Sequence, residues 1–117
     1  MAKVDDPTRM GHMLEAAEKA IRFGKGKQRA DLERDEVLCL ALVRLCEIIG
    51  EAASRVSQKA RSMHPQIPWP QITGMRNRLV HGYDEIDLDV LTQTIAQDLQ
   101  PLIVELKRIG GPPKQQE

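Results

Sequence analysis

Three aromatic side chains (Phe23, Trp69 and Tyr83) are all that the 117 residues contain, and there is no excess of charge, with 17 Lys and Arg against 17 Asp and Glu. So few rings leave the core to Leu, Ile, Val, Met and Ala. The charge balance excludes a whole-protein basic field that would steer nucleic acid, so an anionic ligand must meet a local basic pocket. No apolar run approaches the length of a membrane span, and the N-terminal MAKVDDPTRMGH is too polar for a secretory signal. A cytoplasmic protein without membrane contact is expected. Cys39 and Cys46 lie seven apart in an apolar helical stretch, too far along the axis for a disulfide, and read as small buried thiols. A Walker loop, a Gly-rich fingerprint, a His-Glu-x-x-His pair, paired CxxC motifs and a Ser-centred elbow are all missing. His12, His64 and His81 are scattered without metal-ligand spacing, so no metal site and no cofactor are expected.

What is present is helix-forming residues at helical spacing. Asp5-Asp6-Pro7 is a start signal, with an acidic cap and a proline at the first helical position, and Gly24 and Gly26 end the helix that follows near residue 24. A long second helix is expected from Arg34 to Ser62, carrying the stripe Leu38, Ala41, Leu42, Leu45, Ile48, Ile49, Ala52 and Val56 beside a second stripe of smaller residues. An apolar arc this wide belongs either at the centre of a bundle or between two subunits. The segment His64–Pro70, with three prolines, is a stiff connector in which Trp69 reads as a hinge anchor. A third helix from Trp69 or Pro70 to Gly82 buries Ile72, Met75 and Leu79. Asp87 caps a fourth, which runs to Ile109 and is kinked by Pro101. No strand is expected. The architecture is an all-α, four-helix up-and-down bundle over residues 1–110, with a disordered tail at 111–117.

The polar residues are distributed unevenly. Residues 35–83 hold Arg44, Arg55, Lys59, Arg61, Arg76 and Arg78 against four acids, whereas 84–105 hold six acids and no base. Within the first stretch stands Arg76-Asn77-Arg78-Leu79-Val80-His81-Gly82-Tyr83. If all of it is helical, Asn77 and His81 are four apart at about 200° and about 240° around the axis from Met75, with Arg76 bordering the same face from about 100°. One wall then carries a permanent cation, an amide and an imidazole. Cleaving RNA without a metal needs a proton acceptor for the 2′-hydroxyl, a donor to the leaving oxygen and a cation on the phosphorane. An imidazole can serve as acid or base near neutrality, and a guanidinium binds phosphate bidentately. One helix offers only one such histidine, and the simplest source of the second group is the same motif across a twofold axis. The bland alternatives stay open: His81 before Gly82 could answer the helix dipole, Arg76 could pair with an acid at 84–89, and Tyr83 could close the helix end as a partly buried ring.

The stretch Ile67-Pro68-Trp69, then Gln71-Ile72 and Gly74-Met75-Arg76-Asn77-Arg78-Leu79-Val80-His81-Gly82-Tyr83, resembles the signature of HepT-like toxins of the HEPN superfamily. CEIIGEAASRVS in the middle helix is similar to that family's Ile-Gly-Glu-Ala segment, and the resemblance extends over nearly the whole chain. It implies an all-α HEPN-like homodimer whose two Arg76–His81 motifs form one ribonuclease cleft. Helical spacing adds Asn77 as the residue that orients His81, and guanidinium chemistry makes Arg76 and Arg78 the expected contacts to RNA phosphate. The resemblance implies the toxin half of a toxin–antitoxin system that cleaves cellular RNA (tRNA or mRNA). It also implies a partner, an MntA-type nucleotidyltransferase antitoxin that attaches AMP to Tyr83. Glu51, in the Gly-Glu-Ala segment, is expected to form an internal salt bridge to an arginine of the third helix. The rival reading is a non-catalytic helical scaffold that presents a nucleotide to a nucleotidyltransferase, favoured by the zero net charge and the few aromatics.

Overall fold

Asp5 opens the first helix as its acidic signal predicts, its side chain accepting from the Thr8 N–H at 2.9 Å, and α1 runs Asp6–Gly24. A computed structural model describes residues 5–110; the expected tail at 111–117 lies outside them. After α1 come α2 (Arg29–Arg34), α3 (Glu36–Ser54), α4 (Gln58–Met63), α5 (Trp69–Thr73) and α6 (Met75–Leu79). Two short strands, β1 (Val80–His81) and β2 (Glu85–Ile86), then lead to α7 (Leu88–Gln93), a π-helical turn (Thr94–Asp98) and α8 (Leu99–Ile109). The result is an all-α bundle of four helical layers: α1, α3 with its short flanks, α5–α6, and α7–α8.

α3 is the centre of the bundle, packed against α1, α2, α5 and α6. Its Leu42, Cys46, Ile49 and Ala53 are fully buried in one core with Met13, Ala17 and Ala20 of α1, and α1 in turn packs on α8, which adds Leu99, Leu102 and Leu106. Burying each large aliphatic side chain contributes roughly 1.5–3 kcal/mol. Among the described residues its outward face stays open, with Val37 and Leu40 exposed. Towards α5, Gly50 permits close approach. A Cβ there would lie 3.2 Å from the Ile72 carbonyl oxygen of α5.

The expected second helix is two helices, α3 and α4, with the short α2 before them, and polar side chains take over the backbone groups at both ends of α3. Asp35 accepts from the Leu38 N–H at 3.0 Å and so starts α3 afresh after α2. At the other end Ser54 Oγ donates to the Glu51 carbonyl at 2.7 Å, and Arg61 donates to the carbonyls of Ser54 and Val56. Ser57 then caps α4 and is held from α1, its N–H and hydroxyl donating to the two carboxylate oxygens of Asp6 at 2.9 and 2.7 Å. The stripe of apolar residues continues through this break; the serines carry the stop.

Trp69 is buried, and its indole N–H donates to the His64 carbonyl at 3.0 Å, so the ring anchors the proline connector. The expected third helix is broken at Gly74 and ends at Leu79, three residues before Gly82. The chain turns there into an antiparallel hairpin, Val80 opposite Ile86 and His81 opposite Glu85, with Gly82 at φ +73° in the loop. The Asp87 N–H donates to the Leu79 carbonyl at 2.8 Å and ties off the end of α6. This pair of strands contradicts the strand-free expectation. Pro101 lies inside α8, and the irregularity sits just before it in the π-helical turn, where a wider coil accommodates a ring that lacks an N–H and crowds the carbonyl four residues back.

Candidate active site

Arg76 sits in α6, facing α3. Its Nε lies 3.6 Å from Glu47 Oε2, with the arginine side chain 55% exposed and the glutamate 24%. Glu47 Oε1 also lies 3.6 Å from Arg44, and Arg44 lies 3.8 Å from Glu51. An alternating row Glu51–Arg44–Glu47–Arg76 therefore crosses from the outer face of α3 to α6. One open alternative is set aside here and one expectation is corrected. Arg76 pairs with Glu47 and not with the acids at 84–89, and Glu51 pairs with Arg44 of its own helix and not with an arginine of the third. Exposed pairs of this kind contribute about 0–1 kcal/mol, so Glu47 holds Arg76 lightly.

His81 is on β1, not on a helix, and its side chain is 52% exposed. Its Nε2 lies 3.4 Å from Asp87 Oδ2, while Asp87 Oδ1 accepts from the Val90 N–H at 3.0 Å and caps α7. These contacts hold the Asp87 carboxyl below the usual carboxylate range, the Val90 N–H first and the His81 ring next. Because the helix has ended at Leu79, the four-residue helical relation between Asn77 and His81 does not form. Among the described residues Asn77 makes no side-chain hydrogen bond, and the carboxylate of Asp87 is what meets the ring.

Arg78 turns the other way. Its Nη1 donates to the Gln71 carbonyl at 2.9 Å and lines a groove of about 700 Å³ between α5 and α8. The structure thus does not bring Arg78 to the Arg76–Glu47 pair. Tyr83 is at the tip of the hairpin loop and 94% exposed, which overturns the reading of a ring closing the helix end. No three His, Cys, Asp or Glu side chains cluster as metal ligands among the described residues. No helix there is long and apolar enough to cross a membrane.

Residues 76–87 thus carry an exposed cation, an exposed imidazole backed by a carboxylate, and an exposed phenol. The model of the family described as "Ribonuclease HepT-like" matches residues 13–109, a span that takes in every one of these groups.

The chain belongs to the HepT-like family.

Its HepT-like relatives include "Putative RNase TTE0752" of Caldanaerobacter subterraneus, 36% identical over 84% of this chain and 88% of that protein. "Probable ribonuclease HepT" of Thermococcus cleftensis is 34% identical over 77% of this chain and 82% of its own length. "Putative RNase MJ1380" of Methanocaldococcus jannaschii is 30% identical over 92% and 98%. No solved structure gives a significant match. Two partners in this candidate site, Glu47 and Asp87, escaped the sequence reading. Asp87 was legible as a helix cap only, and Glu47 carried no signal, since its partner arrives from another helix.

Proposed function

We propose that this HepT-like chain is a toxin endoribonuclease that cleaves cellular RNA, tRNA or mRNA, without a metal ion. The observation that carries the reading is the half-exposed imidazole of His81, backed by Asp87 and following directly on the helix that bears a lightly held Arg76. His81 takes the proton of a ribose 2′-hydroxyl, whose oxygen attacks the adjacent phosphorus. Arg76 exchanges Glu47 for the phosphate and stabilises the charge that develops on it. The leaving 5′-oxygen needs a proton, and His81 of the partner subunit in a homodimer supplies it. The open face of α3, with Val37 and Leu40 exposed, is consistent with a second copy.

The same reading takes Tyr83 as the point of control. An MntA-type nucleotidyltransferase attaches AMP to its hydroxyl, with pyrophosphate leaving from ATP. The exposed hairpin tip offers that hydroxyl to a second enzyme, and the added phosphate repels an RNA backbone. Cleavage of RNA by the purified protein in EDTA, compared with His81→Ala and Arg76→Ala, tests the activity: wild type is expected to cut and both variants to lose at least about a hundredfold. Equal activity, or equal inactivity, of all three removes the assignment and leaves the scaffold reading. Incubation with the cognate transferase and ATP is expected to add the mass of AMP to wild type and not to Tyr83→Phe.

A further inference from the structure

We propose that Asp87 is a positioning residue for His81, which holds the ring by Nε2 and leaves Nδ1 as the nitrogen that acts as base. The inference rests on the ribonuclease reading above. Both oxygens of the Asp87 carboxylate are engaged, but by different elements: Oδ1 accepts from the Val90 N–H of α7 at 3.0 Å and Oδ2 faces His81 Nε2 at 3.4 Å. The Asp87 main chain is fixed as well, its N–H donating to Leu79 at the end of α6. The hairpin that carries His81 opens and closes between these same two anchors. The carboxylate is therefore not free to follow the ring; the ring is oriented by the carboxylate.

An ionised carboxylate can only accept, so the hydrogen between the two groups belongs to Nε2. In the neutral imidazole this puts the lone pair on Nδ1, which alone can then take a proton. Other charged groups stand near and are otherwise placed. Glu85 is opposite His81 across the strand pair. Asp89 is paired with Arg29. A carboxylate behind a histidine fixes tautomer and orientation without itself gaining a proton, and its loss is costly because the wrong tautomer cannot act as base.

Asp87 also caps α7, so the test must separate the two roles. Serine is as good a cap as aspartate and too short to reach the ring. Two-bond proton–nitrogen correlation spectra of the full chain, recorded at about pH 8.5 where an ordinary imidazole is neutral, report the His81 tautomer directly. Wild type is expected to carry its hydrogen on Nε2, and Asp87→Ser to shift toward a mixture, with the α7 amides unshifted. Glu85→Gln is expected to keep the wild-type tautomer. In RNA cleavage, kcat of Asp87→Ser is expected to fall at least about tenfold with KM changed less than about threefold. An Nδ1-protonated wild type, or a tautomer that follows Glu85→Gln and ignores Asp87→Ser, would overturn the proposal. If wild type does not cut RNA, the ribonuclease reading fails, while the tautomer spectra still decide what Asp87 does to the ring.

Discussion

Arg76 and Glu47 show why a site residue read from sequence is only half described. A guanidinium 3.6 Å from a carboxylate cannot offer that edge to a phosphate until the pair opens. Removing the acid charge with Glu47→Gln is therefore expected to lower KM for RNA, by up to about fivefold, since an exposed pair is worth no more than about 1 kcal/mol. Thermal stability should hardly change. An increase in KM would show that Glu47 orients Arg76 instead of competing for it. Salt dependence gives a second measure: Arg76→Ala is expected to reduce the slope of log affinity against log salt by about 0.7, the value for one contact to single-stranded RNA. At the other extreme of burial, Cys46 is fully enclosed, and desolvation pushes its thiol up to about 12. Iodoacetamide near pH 8 is expected to leave Cys46 unmodified in the native protein and to label it in urea.

At the scale of elements, patterns in the chain predicted the packing faces well and the ends of helices poorly. Leu42, Ile49, Ile72, Met75 and Leu79 were all legible as core because burial follows a period that any helix repeats. The breaks at Ser54–Ser57 and at Leu79 were not, since the first depends on side chains competing for backbone groups and the second on a main-chain bond from Asp87, eight residues further on. For Ser57 the decisive acceptor, Asp6, lies 51 residues away. The error at Leu79 mattered most, for it moved His81 from a helix wall to a strand and exchanged Asn77 for Asp87 as its neighbour. Gly50 is a further element-scale feature that spacing does not reveal, because what it accommodates is the backbone of α5. Placing a methyl 3.2 Å from the Ile72 carbonyl pushes α5 away from α3, and α5 leads through Gly74 into the helix of Arg76. Gly50→Ala is expected to destabilise the fold by about 1–3 kcal/mol, as overpacking does. Chemical denaturation measures this, and an unchanged midpoint would mean that α5 shifts without cost.

For the whole molecule, four aspartates at or beside helix starts link stability to pH. Asp5 receives the Thr8 N–H, Asp6 the N–H and hydroxyl of Ser57, Asp31 the Gln28 N–H and Asp87 the Val90 N–H. These bonds hold all four carboxyls below their ordinary value of 3.8. Above that value they are ionised in both the folded and the unfolded chain, and their contribution is fully present. As pH falls below it, the unfolded chain binds protons first, so the contribution declines and is gone once the lowered folded values have been passed. Protonation of the acids also leaves 17 Lys and Arg and three His unopposed, and their repulsion acts in the same direction. The urea midpoint is therefore expected to be flat from about pH 7 to about pH 5 with respect to these groups and to fall steeply below about pH 4. Asp6→Asn separates the local from the global cause. Its amide oxygen can still accept from Ser57, but the group no longer titrates, so the fall below about pH 4 should become shallower. An identical slope in the variant would assign the acid transition to charge repulsion across the molecule and not to the carboxylate that joins α1 to α4.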